Sequence, residues 1–459
     1  MRTLTRELVE RGARSETRKR EVSFPSAPAP LSLKRRYALS LFWSLAGSVV
    51  ARGMTVATGY IVARTLAHEQ FGEFGIILST AAMFQVLAGV GMGMTATKHV
   101  AQFRTSDPNR AGRIIGLACT VSLVSGMAFA AFVFVAAPWL AIELLAAPHM
   151  APLLRIASMI LLFGTMEGAV TGALAGFEAF KTMAGVSLAA GLVSFPLIAG
   201  GVYMAGLPGA VTGLAAAFFV SVLFNGHALL RLCRERAIRI SFREMGAEKS
   251  IFYRFSLPLV FAGMLGNPVF WACNILLVQQ QGGYGQMALM NAANYWRSLL
   301  LFVPSVVNRI VVPMVSHLAV SREPGSVFRI LGFNIGLNLV VAAVPVAAIM
   351  LFADTIMAGY GPEFVAGKGV LLVLAASAIP AAIVNSVKEV FVALGRAWLY
   401  LGFVVFWSAA LLVASYLWVG QGAFGLANAN LFAYLLLFVV EMLFVVHFVR
   451  VFKREKREG

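Results

Sequence analysis

Twelve long apolar runs separated by short polar turns decide what this chain can fold into. They fall at about 37–65, 71–97, 113–137, 151–176, 182–205 and 207–230. After a polar stretch they resume at about 255–278, 286–314, 327–353, 366–394, 398–419 and 424–449. A helix needs roughly 20 apolar residues to cross a bilayer. Hydrocarbon offers no partner to a peptide group, so such a run crosses as a helix that satisfies its own backbone. Composition agrees: the 459 residues are 59% apolar and 12% charged, against about 45–50% and about 25% in soluble domains. The expectation is an all-α integral membrane protein of about twelve transmembrane helices, with no room for a large extramembrane domain.

The charges test that count. The chain carries 37 Lys and Arg and a net charge of +17. In a soluble protein this would suggest nucleic acid. Here nearly all the cations fall in alternate loops and at the two ends, as the positive-inside rule requires. The loops expected outside hold only Arg64, Arg155 and Lys368. Twelve spans with both termini cytosolic preserve this segregation, and one span more or fewer scrambles it. No nucleic-acid partner is expected; anionic lipids at the cytoplasmic face are. Residues 1–36 lack the apolar core of a secretory signal and read as a basic cytosolic tail.

The expected organisation is therefore the 1–36 tail, a first lobe of six spans over 37–230 and a basic connector over 231–254. A second lobe of six spans over 255–449 and a basic tail over 450–459 follow. A faint repeat relates the lobes: Phe71-Gly72-Glu73-Phe74 opens span two and Tyr284-Gly285-Gln286-Met287 opens span eight. Six spans return the chain to its starting side, so the lobes share one orientation and enclose a central cavity about an axis along the membrane normal.

Motifs for soluble chemistry fail. Gly361–Gly369 has the wrong spacing for a phosphate loop, and His68-Glu69 lacks the second His of a zinc protease. The three cysteines form no CxxC. No catalytic set, metal site or cofactor is expected, and the chain is read as a non-enzyme. Small-xxx-small steps at Gly172/Gly176, Gly209/Gly213 and Gly332/Gly336 suit close helix packing.

Charges inside spans carry the functional information, because each costs about 2.5–3.5 kcal/mol at mid-bilayer on insertion scales. Arg52 in span one and Arg297 in span eight lie near the midplane, one per lobe. Arginine stays charged and offers a planar fork to phosphate, so both are cavity candidates for an anionic headgroup. The competing reading is an ion pair with a buried carboxylate such as Glu167 or Glu441. Asn291, Asn294, Arg297, Ser298 and Ser305 form a polar ladder on span eight, and Asn267 and Asn274 add to it from span seven. Of these, Asn291, Asn294 and Asn274 join the substrate-cavity candidates. Glu167, Lys388 and Glu441, nearer the inner ends of their spans, are candidates for gating or coupling.

The segment Ile61-Val62-Ala63-Arg64-Thr65-Leu66-Ala67-His68-Glu69-Gln70-Phe71-Gly72-Glu73-Phe74 resembles the opening of the polysaccharide-transport flippases. These form the O-antigen and exopolysaccharide branch of the multidrug/oligosaccharidyl-lipid/polysaccharide exporter superfamily. Trp271 to Tyr284, Val303-Pro304 and Val312-Pro313 resemble the opening of that family's second lobe, and the likeness runs from about residue 38 to 449. Ala67-His68 stands where most members have Gly-Pro or similar. The resemblance implies a flippase in the bacterial cytoplasmic membrane. It would move lipid-linked oligosaccharide, usually on undecaprenyl pyrophosphate, between leaflets by alternating access, with glycan polymerase and chain-length proteins as further partners. The alternatives are a cation-coupled multidrug exporter of the same superfamily and a non-transporting component of a glycan-assembly complex.

Overall fold

The computed structural model describes residues 52–89, 91–242, 265–305, 307–308, 324–393 and 397–458. The basic N-terminal tail, most of span one, the connector from residue 243 and the start of span seven lie outside the described residues. Helices account for nearly all that is described, with no strand among those residues. In chain order they are α1 (52–65), α2 (His68–Gly89), α3 (Met92–Phe103), α4 (Pro108–Trp139) and α5 (Ala151–Gly176). Then come α6 (Phe180–Glu235), α7 (Gly266–Val278), α8 (Gly283–Leu300) and α9 (Pro324–Tyr360), followed by α10 (Lys368–Ala393), α11 (Ala397–Trp418) and α12 (Gly422–Glu458).

These are not twelve spans one for one. Expected span two is α2 plus α3, broken where Gly91 turns left-handed at φ 63°. Helix α6 covers 56 residues but is two helices joined at a kink, and it holds two spans. Ala205 and Gly206 leave helical geometry, with Gly206 at φ 60° and ψ −136°, a conformation open to glycine. The arms then run back antiparallel. A Cβ on Gly209 would collide with the carbonyl of Gly201, and one on Gly213 would lie 2.9 Å from the carbonyl carbon of Leu197. Helices α11 and α12 make a second hairpin through a 3₁₀ turn at Val419–Gln421. Trp407 packs at a tilt on Tyr434, and Phe403 edge-on against Phe444, along its length. By length and apolarity alone, seven described segments suffice to cross a membrane, and each of these hairpins is contained in one of them.

Within the first lobe, α3 docks on α5 where both chains lack side chains. Thr97 Oγ1 donates to the Gly172 carbonyl at 2.9 Å, and Arg104 Nη1 to that of Gly176 at 3.1 Å. The steps at Gly172/Gly176 and Gly209/Gly213 thus pack helices, as expected. Gly332 and Gly336 do not: a Cβ on either meets nothing within 4 Å. The opposite face of α9 carries the inward-turned Asn334 and Asn338, which leaves these glycines on the outer surface.

The lobes meet mainly through α2, which packs against α7 and α8 of the second lobe. The contact is very close. A Cβ on Gly72 would lie 2.8 Å from the carbonyl carbon of Tyr284, and one on Gly75 would run into the side chain of Asn291. The two segments related by the faint repeat therefore face each other across the seam. Around them, Arg64 Nη1 donates to the Gly359 carbonyl at 3.0 Å, and Tyr284 Oη to that of Leu145 at 2.6 Å. Gln279 Nε2 donates to Leu144 at 3.1 Å. Phe71 and His68 both set their rings edge-on against Phe364. All of this lies at the end of the bundle expected outside. The contacts continue inward to Trp271, whose Nε1 donates to Thr80 Oγ1 at 3.0 Å and whose ring meets Phe84. Beyond Trp271 the described residues of α2 and α5, with Asn267 of α7, line a cavity.

Candidate functional site

Four helices of the second lobe build a cavity of about 210 Å3 around Arg297. Helix α7 contributes Phe270, Cys273 and Asn274; α8 contributes Met290, Asn294 and Arg297. Leu411 of α11 and Leu426 and Asn430 of α12 complete the wall. On α8 the spacing Met290, Asn294, Arg297 is that of one helix face, so Arg297 and Asn294 point the same way. Gly283 begins α8 at the expected outer end. At 1.5 Å per residue Arg297 lies about 20 Å along it, deep in the membrane.

The side chain of Arg297 is held at two points. Its Nε donates to Ser377 Oγ of α10 at 3.1 Å, and its guanidinium carbon stands 5.2 Å from the ring centroid of Tyr434. Such a cation–π contact orients the charge but does not neutralise it. The residue is 9% exposed, and Nη2 has no hydrogen-bond partner. Among the described residues no carboxylate pairs with it, and none lines the cavity. Asn430, 2% exposed, likewise leaves its Oδ1 without a partner. Leaving buried polar groups unpaired costs about 1–3 kcal/mol each, more when charged. Arg297 and Asn430 both line this cavity, so its wall carries a guanidinium without a carboxylate partner and favours a polar, preferably anionic, occupant.

The other sequence candidates are dispersed. Asn274 and Asn294 share the Arg297 cavity. Asn291 instead belongs to the lobe seam, where its Nδ2 donates to the Phe71 carbonyl at 3.3 Å. Arg52 is exposed at the first described turn of α1 and does not line the Arg297 cavity. Glu167 accepts from Ser221 Oγ in the first lobe. Glu441 is 1% exposed with Oε2 unpartnered. Neither carboxylate pairs with Arg297, so the ion-pair reading of that arginine has no support among the described residues. Lys388 lies 5.4 Å from the centroid of the Tyr400 ring. Ser298 and Ser305 bond back to their own helix.

Sequence reasoning missed Ser377, Asn430 and Tyr434, which complete the Arg297 environment. It also missed a buried knot in which Asn334 Nδ2, Asn338 Nδ2 and Ser386 Oγ all donate to Asn308 Oδ1 at 3.0–3.1 Å. The available signal was asparagine inside strongly apolar runs, as in Asn334–Asn338 and Asn428–Asn430.

A model of the family described as polysaccharide biosynthesis protein matches residues 39–319. The chain belongs to this family. The match is in line with the resemblance read from Ile61–Phe74. Among curated relatives, the EPS I polysaccharide export inner membrane protein EpsE of Ralstonia nicotianae is 25% identical over 427 residues, covering 90% of this chain and 95% of that protein. EpsE of Ralstonia solanacearum is 22% identical with the same coverage. Among solved structures, an inward-facing multidrug resistance MATE family transporter of the MOP superfamily superposes with a TM-score of 0.74 at 16% identity, over 90% of this chain and 99% of that one. A MOP superfamily transporter from Pyrococcus furiosus, described as having a binding pocket of reversed polarity, gives 0.68 at 16% identity over 90% and 96%. The fold is thus that of the two-lobed transporters of this superfamily, and the chain is a multi-pass membrane protein.

Proposed function

We propose that the chain is a flippase for lipid-linked oligosaccharide or polysaccharide precursors in the bacterial cytoplasmic membrane, with the carrier's phosphates bound at Arg297. The observation that carries this is a guanidinium on the wall of a cavity, held by neutral partners, with Nη2 left without a hydrogen-bond partner and no carboxylate among the described lining residues. An unpaired charge within a membrane span is costly to insert, and a bound anion would offset that cost. Family membership and the export role named for the EpsE relatives point to the same substrate class. A cation-coupled drug exporter would want a carboxylate in the cavity, where this chain has an arginine.

The seam supports alternating access. Taking the basic loops as cytosolic, α2 and α8 close the outer end, and the described residues line a cavity below Trp271. We read this as an inward-facing state, in which rocking the lobes about the seam would expose the other side. Both termini are then cytosolic, and Arg52, exposed on α1, is available to an incoming headgroup.

The test is complementation of a flippase-deficient strain. Arg297→Ala, expressed at wild-type level, is expected to abolish surface glycan, and Arg297→Lys to restore part of it, because lysine keeps the charge and loses the fork. Full restoration by Arg297→Ala refutes the assignment.

A further inference from the structure

Beyond Trp271 lies a second cavity, about 400 Å3, with a different chemistry. Gln85 of α2, Gly91 at the helix break, and Gly164, Thr165 and Gly168 of α5 form its first-lobe wall. Asn267 of α7 closes it from the second lobe. Among the described residues no charged side chain lines it. Two carboxamides, one from each lobe, reach it without a hydrogen-bond partner among the described residues, since Gln85 and Asn267 make none.

Its glycines are not all packing devices. Gly93 and Gly172 bring α3 and α5 into backbone contact, but a Cβ on Gly168, or on Gly89 beside the break, would meet nothing within 4 Å. At Gly164 the added atom would come within 2.5 Å of Gln85 Nε2, so this glycine leaves room for the amide of Gln85. Gly168 makes room for no neighbour. Its lack of a side chain keeps the cavity open and leaves the wall as bare backbone.

Resting on the reading of Arg297 as the phosphate site, we propose that this cavity is a separate subsite for the neutral, hydroxyl-rich sugar portion of the substrate. A sugar hydroxyl both donates and accepts, and so does a carboxamide. The volume falls in the range of ligand clefts, about 300–1,000 Å3. Its described wall carries no cation for a phosphate. The two sites share one rod: Asn267 faces this cavity and Asn274 the Arg297 cavity. Seven residues of α7 set them about 10 Å apart.

The test uses the full-length protein in lipid nanodiscs and two probes, undecaprenyl diphosphate and the same lipid bearing a neutral tetrasaccharide. Wild type is expected to bind the glycosylated lipid at least tenfold more tightly. Gly168→Leu, which fills the cavity, should lose that advantage while binding the bare lipid as wild type does. The double variant Gln85→Ala/Asn267→Ala should behave likewise, and it decides the matter if Gly168→Leu does not fold. Equal binding of the two lipids by wild type, an undiminished advantage in the folded variants, or equal losses for both lipids would each overturn the proposal. Failure of the phosphate reading shows separately, as bare-lipid affinity unchanged in Arg297→Ala.

Discussion

Replacing Gly72 by alanine should prise open the outer seam. A Cβ there would lie 2.8 Å from the Tyr284 carbonyl carbon and 3.2 Å from the Ala288 nitrogen. Carbon atoms rest at about 3.5–4.0 Å, so α2 and α8 must part by about 1 Å. Both obstacles are backbone and cannot swing aside. Overpacking of this kind costs about 1–3 kcal/mol, and only the closed seam bears it. At 1.4 kcal/mol per factor of ten, the balance moves about 5- to 150-fold away from the outer-closed state. The assay is spin-label distance between Glu69 and Gln281, exposed on opposite lobes at that end, in a background lacking the three native cysteines. Gly72→Ala should lengthen and broaden the distance distribution. Gly420→Ala, whose Cβ meets nothing within 4 Å, should not. An unchanged distribution in a folded Gly72→Ala protein would refute the view that backbone contact at this glycine sets the closed state.

Three further outcomes follow from contacts within the lobes and from the expected topology. Gly209→Leu drives a side chain into the Gly201 carbonyl inside the α6 hairpin, and it should lower thermal stability by about 1–3 kcal/mol, read by unfolding in detergent; an unshifted midpoint would mean the arms are not locked there. Asn308→Ala removes three hydrogen bonds at once, although Asn338 Nδ2 and Ser386 Oγ keep acceptors on Asn334 and Ala382. At about 0.6 kcal/mol per membrane hydrogen bond, its destabilisation should exceed that of Ser386→Ala two- to threefold, and equal effects would deny Asn308 its central place. Cysteines at Gly282 and Gln421 should react with an impermeant maleimide in intact cells and one at Glu235 only after permeabilisation; labelling of Glu235 from outside would break the assigned topology.

What the sequence revealed follows from how strongly each feature departs from its surroundings. Long apolar runs announce helices because hydrocarbon tolerates little else, and Arg297 stood out as a charge where charges are expensive. Asn430, Ser377 and Tyr434 did not, since single neutral polar residues are common in such helices and no local spacing links residues on α8, α10 and α12. The α6 hairpin was legible as two spans from its apolar runs at about 182–205 and 207–230, but not the tight backbone turn at Ala205-Gly206 that joins them. Gly332/Gly336 misled because a pair of small residues looks the same whether it faces protein or lipid. Gly72 and Gly75 showed the reverse difficulty: a residue that acts by having no side chain leaves no chemical signature, and its weight appears only when a neighbouring backbone is seen against it.

The walls of the Arg297 cavity and the Ser377 and Tyr434 contacts that hold its guanidinium all come from the second lobe. In the proposed rocking cycle a group seated there would travel with that lobe as a passenger. Rocking would change which side of the membrane can reach the seat, while a seat built from one lobe would keep its shape. An occupant bound equally well in two conformations shifts no equilibrium between them, so its affinity alone gives the cycle no direction. Direction has to come from whatever spans both lobes, or from removal of the cargo on arrival. Seating and reorientation are therefore separable quantities in this architecture: a substitution at the seam can change how fast the lobes exchange without altering how tightly the passenger is held.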